Sequence, residues 1–98
     1  RNGRTYVPLR FISESIGGTV VWIGNEKKVM ITLFDTSLTM WVDKLNYYAN
    51  SIPYLMDSPP LLLPPGRVFV PIRVVSESLG ANVLWDEKEK KVTILYPK

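Results

Sequence analysis

Arg10 and Glu14 stand four residues apart, as do Arg73 and Glu77, the spacing at which a guanidinium and a carboxylate meet across one helical turn. A catalytic role for either pair would need a nucleophile or a concave pocket beside it. Two copies of one active-site pair in so short a chain argue instead for a structural role, worth about 0.3 to 0.5 kcal/mol per exposed pair. Ser13, Ser15, Ser76 and Ser78 flank the two glutamates. A nucleophilic serine needs a positioned base, and the sequence has no histidine to serve as one. A serine–lysine arrangement is the formal remainder. Asp35, Asp43, Asp57 and Asp86 are separated by turns and prolines and lack the alternating oxygen spacing of a calcium loop, so adventitious metal binding is the most they support. Gly17-Gly18 and Pro65-Gly66 are backbone punctuation, not a phosphate-cradling loop. No catalytic, cofactor-binding or metal-binding residue is assigned, and no cofactor is expected.

The aromatic residues leave one functional opening. Trp22 and Trp85 occupy matching places in two similar stretches and are expected in the core, with Arg10 and Arg73 as candidates to lie against them as cation–π partners. Trp41, Tyr47, Tyr48 and Tyr54 belong only to the middle of the chain. Exposed aromatics there would suit sugar stacking or protein contact; the plainer reading has Trp41 and one tyrosine completing the core. Tyr47 and Tyr48 are adjacent, so on a strand they point to opposite faces and at most one joins such a surface.

The elements that position these residues are written twice. The run from Gly3 to Gly17, carrying Pro8, Arg10, Ser13, Glu14 and Ser15, returns 63 residues later as Gly66 to Gly80, with Pro71, Arg73, Ser76, Glu77 and Ser78. The echo continues through Trp22 and Trp85 to Lys27-Lys28-Val29 and Lys90-Lys91-Val92, and 16 of 29 positions match without gaps. This is an internal repeat. In each copy, proline suits a first helical position, glycine stops the helix, and apolar residues spaced i, i+3, i+7 form one buried stripe: Leu9, Ile12, Ile16 and Ile72, Val75, Leu79. Such helices of about nine residues would not survive alone. Strands are predicted over 19–22 and 82–85, with return strands over 28–33 and 91–95, so each copy is a helix feeding a β-hairpin. The middle segment predicts a further hairpin, 38–42 and 45–49, turning at Asp43-Lys44. Pro59-Pro60 and Pro64-Pro65 hem Leu61-Leu62-Leu63 into a short strand at a sheet edge or bend. The second copy is thus expected to have strands before its helix that the first lacks. The reading is one domain over 1–98, made of a partial first repeat (3–33) and a fuller second one (38–95).

Composition narrows the function classes. Ninety-eight residues, 46% hydrophobic and 21% charged, describe a globular domain able to bury roughly 60 to 70% of its unfolded surface. A net charge of +3 is spread among acidic neighbours, and the densest stretch, Asp86 to Lys91, is mixed in sign. No nucleic-acid partner is expected, although a polyanion-binding face is left open. The absence of cysteine and histidine removes disulfides, thiolate nucleophiles and nearly all zinc or copper sites. No apolar run approaches the roughly 20 residues that cross a bilayer, so no membrane insertion by this segment is expected. The chain starts at Arg1 and is read as a segment of something longer, with any signal peptide or anchor outside it.

Gly66 to Arg73, followed by Ser76-Glu77-Ser78-Leu79-Gly80-Ala81 and Val83-Leu84-Trp85-Asp86, resembles the copper amine oxidase N-terminal-like domain of bacterial surface proteins. The approach over Leu55 to Pro60 is similar to that family's lead-in, and the resemblance covers essentially the whole chain. It implies an α+β fold with an antiparallel β-sheet curled around a helix, and an extracellular or cell-surface location as an accessory module; with the repeat, the expected fold is two short helices packed on antiparallel β-sheet. In the oxidases such a domain forms a stalk, while copper and the quinone cofactor belong to a separate catalytic domain. The expected role is therefore a non-catalytic spacer or interaction domain, not an enzyme, whose partners are other domains of the same surface protein. The alternatives are binding to a cell-wall or other polysaccharide through the middle-segment aromatics, and a homodimer or strand-added complex through unpaired strands near 61–63. Pro8, Arg10, Glu14, Gly17, Trp22, Pro71, Arg73, Glu77, Gly80 and Trp85 are read as the structural motif.

Overall fold

The computed structural model describes residues 4–15 and 17–97. Gly3, which opens the first motif, and Ile16, expected on the first buried stripe, lie outside the described residues. In chain order the elements are β1 (Tyr6–Pro8), α1 (Leu9–Ser15), β2 (Thr19–Ile23), β3 (Lys28–Leu33), β4 (Thr36–Trp41), β5 (Asn46–Ala49), β6 (Ile52–Leu55), β7 (Leu61–Leu63), β8 (Arg67–Pro71), α2 (Ile72–Leu79), β9 (Asn82–Asp86) and β10 (Lys91–Leu95). Two short helices on antiparallel strands make the fold α+β.

The prolines act one residue earlier than expected. Pro8 and Pro71 end strands, and the helices begin at the next residue. Pro71 is the N-cap of α2, with φ −70° and ψ 122°. Its missing N–H suits that junction, because no helical acceptor awaits it. The helices come out at 7 and 8 residues, too short to persist alone. Burial of Leu9 and Ile12 in α1, and of Val74, Val75 and Leu79 in α2, holds them, at about 1.5 to 3 kcal/mol for each large apolar side chain removed from water. Gly80 ends α2 in the left-handed region at φ 66°, where glycine carries no Cβ penalty. Gly18 is small for a different reason: a Cβ there would stand 1.9 Å from the Thr32 carbonyl oxygen.

Strands were expected before the second helix only, yet β1 precedes α1 and pairs with β8. Tyr6 lies opposite Pro71, Val7 opposite Val70 and Pro8 opposite Phe69. Adding 63 to a residue of the first copy gives its counterpart in the second, so each of these pairs maps onto another in the ladder and Val7 faces its own counterpart. That is the register a local two-fold axis through Val7 and Val70 would give. Both valines are fully buried. Short β1 escaped the sequence reading because three residues ending in proline carry no period.

The two hairpins do not share one sheet. β2-β3-β4-β5-β6 form a five-stranded antiparallel meander, β9 and β10 form a separate two-stranded sheet, and β1-β8-β7 form a third of three strands. The reason lies in the helices: α1 packs against β8 and β10, and α2 against β4 and β9, so each helix fills the space between sheets. One continuous core results, running from Val7, Ile12, Val29, Ile31 and Met40 to Val70, Val75, Leu79 and Val92.

Candidate functional site

Alternation along the meander sorts the middle-segment aromatics onto opposite faces. Tyr47 is paired with Met40 on one side and Tyr54 on the other, on the face that carries buried Val29 and Met40. The Tyr47 and Tyr54 rings stack at 5.6 Å. Tyr48 pairs with Thr39 and Pro53 on the outer face, in the row continued by Met30 and Val21. Trp41, two residues from Thr39, meets Tyr48 edge-on with ring centroids 5.9 Å apart. Tyr48 is 39% exposed and Trp41 half-buried, so the structure brings Trp41 and Tyr48 together on a solvent-facing apolar surface and places Tyr47 and Tyr54 across the sheet from them.

The motif residues divide differently. Arg73 donates to Glu77 at 3.3 Å across a turn of α2, at the surface. Arg10 forms no such bond with Glu14 among the described residues; its guanidinium lies 4.6 Å from the Phe11 ring, not over Trp22. Neither serine of α1 stands beside a base. In α2, the Ser76 hydroxyl accepts from the Val83 N–H at 2.8 Å, tying helix to hairpin. Gly17 follows α1 as an exposed bend.

The two matching tryptophans stand in different surroundings. Around Trp22 is an open groove of about 320 Å³, walled by Pro8, Leu9, Arg10 and Ser13 of the α1 region, Val20 of β2, and Gly66, Arg67 and Val68 at the start of β8. Trp85 lines a different open pocket, of about 520 Å³, with Thr5, Tyr6, Leu61, Leu63, Phe69 and Glu87, while the counterparts Arg4, Pro71, Ile72 and Arg73 line another one. Phe11 lies against Trp85 with centroids 5.3 Å apart, and the Trp85 indole N–H donates to Glu87 at 3.1 Å. Arg4 donates to Asp57 at 2.8 Å, and Arg73 is held by Glu77. Trp22, by contrast, is 37% exposed, contrary to the expected core position. Its counterpart of Phe11 is Val74, turned into the core, and its counterpart of Glu87 is Gly24. Sequence reasoning passed over this groove, since its signal was the difference at those two positions within otherwise matching stretches.

Charge follows the same division. The hydrogen bond from Arg4, with its positive charge, holds the Asp57 carboxyl below the usual carboxylate range and raises the guanidinium in turn. Lys90 and then the Trp85 indole N–H do the same for Glu87. Arg10 and Arg67 have no carboxylate partner among the described residues.

Tyr6 joins β1 to the lead-in of β7: its hydroxyl bonds to Ser58 and donates to the Pro59 carbonyl at 2.8 Å. β7 pairs with β8 over Leu61–Leu63 and stands at the edge of its sheet. Among the described residues no three or more His, Cys, Asp or Glu side chains gather where they could hold a metal ion, and no helix is long and apolar enough to cross a membrane. Compared with known families, residues 1–94 match the one described as copper amine oxidase N-terminal domain. No curated protein and no solved structure matched the chain.

Proposed function

The chain belongs to the copper amine oxidase N-terminal domain family, a non-catalytic module, and from that premise we propose that it serves outside the cell as a spacer and interaction domain of a bacterial surface protein. The observation that carries this reading is the β1–β8 ladder. With Val7 and Val70 fully buried at its centre, it joins the two helix-plus-hairpin units through a shared core, as a domain that holds its neighbours at a set distance requires. The donor set does not fit copper: the sequence has no histidine or cysteine, and the described carboxylates do not cluster. Its partners are then other domains of the same protein, and the open edge of β7 offers a second copy a place to add a strand.

A second reading, binding of cell-wall or other polysaccharide, is favoured by the outer face of the meander. Trp41 and Tyr48 there present adjoining ring surfaces of the kind that stack on pyranose rings. The test is binding of the purified domain to insoluble cell-wall material and to a polysaccharide panel, beside a Trp41→Ala, Tyr48→Ala variant whose fold is checked by circular dichroism. Binding that the variant loses would establish the carbohydrate reading. A folded domain that binds none of these materials supports the spacer.

A further inference from the structure

The hairpins β2–β3 and β9–β10 share one register. Adding 63 to each pair of the first, from Thr19 opposite Thr32 to Ile23 opposite Lys28, gives the pairs of the second, from Asn82 opposite Leu95 to Asp86 opposite Lys91. The far side of β3 is occupied by β4. No strand lies on the far side of β10, and no backbone hydrogen bond from another element reaches it among the described residues. The Val42 N–H donates to the Lys27 carbonyl at 2.9 Å just beyond the β3–β4 ladder. Hydrogen-bonded pairs alternate along an antiparallel ladder, so Val29 and Ile31 turn their backbone groups toward β4, and their counterparts Val92 and Ile94 turn theirs to the open edge. Burial carries the same mark: Ile31, opposite Leu38, is fully buried, whereas Ile94 is only half-buried. Nor can β10 be followed by the turn that follows β3. That turn holds Phe34 at φ 55°, and the counterpart of Phe34 is Pro97, whose ring fixes φ at about −65°.

We propose that the open edge of β10 pairs antiparallel with β10 of a second copy of this chain, about a two-fold axis at Thr93. The strand is self-complementary in that register. Val92 falls opposite Ile94 of the second copy and Ile94 opposite its Val92, both as hydrogen-bonded pairs that exchange two backbone bonds each, and Thr93 meets Thr93 at the non-bonded place between them. Apolar side chains thereby meet Val92 and Ile94 as Met40 and Leu38 meet Val29 and Ile31 in the first hairpin. On the other face Lys91 falls opposite Leu95, so no like charges stand directly opposed. The β7 edge is the poorer one for a second copy: it offers three residues between Pro59-Pro60 and Pro64-Pro65, where β10 offers five. The pairing depends on neither the spacer nor the polysaccharide reading.

Sedimentation equilibrium of the 98-residue chain from about 10 μM to about 1 mM, the affinity range of a small interface, should show a monomer–dimer equilibrium. Thr93→Lys sets two ammonium groups against each other across the axis, at a position exposed in the single chain. It should weaken the dimer about tenfold or more and leave the circular dichroism unchanged. Leu62→Lys, at the exposed centre of β7, should leave the dimer as it is. Thr93→Cys gives this cysteine-free chain one thiol at a pair whose Cα atoms lie about 4.5 Å apart once the strands join, so mild oxidation should yield a disulfide-linked dimer. Hydrogen exchange separates the edge from the fold. The Val92 and Ile94 amides should become protected as concentration rises, whereas the Thr93 amide, turned toward β9, should be protected throughout. A chain that stays monomeric at about 1 mM, a dimer that Thr93→Lys leaves intact, or one that Leu62→Lys abolishes in its place would each overturn the proposal.

Discussion

Trp22 and Trp85 occupy the same place in equivalent strands, β2 and β9, each four residues after a small residue, Gly18 or Ala81, that follows a helix. Trp85 is capped by Phe11 from the other unit and anchored by Glu87; Trp22 faces an open groove. Both hairpins turn the same way, with Lys27 and Lys90 in the left-handed region at φ 52° and 54°. Two differences within a matched frame, Phe11 against Val74 and Glu87 against Gly24, give Trp85 a ring neighbour and an indole acceptor that Trp22 lacks among the described residues. Matching stretches can therefore set equivalent tryptophans in different surroundings while both contribute to one core.

The largest effect should come from the small residues that precede the strands. Gly18→Ala must displace backbone, since its Cβ would fall 1.9 Å from the Thr32 oxygen, and a loss of about 3 kcal/mol or more is expected. Ala81→Gly at the matching, fully buried place should cost only about 1 kcal/mol. Urea unfolding of both variants checks this, and equal losses would erase the asymmetry.

Next come the residues the two units share. Val7→Ala and Val70→Ala each empty the same buried seam and should each cost about 2 kcal/mol. The unfolding transition should stay single in both. Two transitions in either variant would show that the units are not one cooperative body.

A smaller effect is expected at the ring beside Trp85. Phe11→Leu removes the ring 5.3 Å from Trp85 and should cost about 1 kcal/mol. Tryptophan emission should move to longer wavelength as water reaches Trp85, whereas the Trp22 contribution is already that of a partly exposed ring. An unchanged spectrum would mean that Phe11 does not shield it.

The smallest effect is on acid stability. Asp57 and Glu87 are held below their ordinary pKa by Arg4 and by Lys90 with Trp85. The folded state therefore binds fewer protons than the unfolded one near pH 4, and stability rises with pH there. The contribution is present above the unfolded-state pKa and is lost as pH falls through the lower folded-state values. Asp57→Asn with Glu87→Gln should flatten the limb below about pH 4 slightly, since both groups are at the surface.

Much of this frame was legible beforehand. Proline, glycine and the i, i+3, i+7 stripe located both helices within a residue or two, and the Lys-Lys-Val returns located β3 and β10. β1 was hidden because its three residues gain strand character only from β8. The division into three sheets was hidden as well, because sequence alone does not say which edges a helix will separate. The Trp41 and Tyr48 contact follows from the register of β4 on β5, and a shift of one residue would have buried Tyr48 in place of Tyr47. The different surroundings of Trp22 and Trp85 lay in the mismatches, Gly24 against Glu87 and Phe11 against Val74, which a search for matches discards.

The difference between the two indoles, one donating to Glu87 and the other without an acceptor among the described residues, is tested most directly by solvent exchange of their N–H protons, read separately for Trp22 and Trp85 by two-dimensional NMR. The account predicts fast exchange at Trp22 and markedly slower exchange at Trp85, with Glu87→Gln bringing the second toward the first. Equal exchange at the two indoles of the unaltered protein would contradict it.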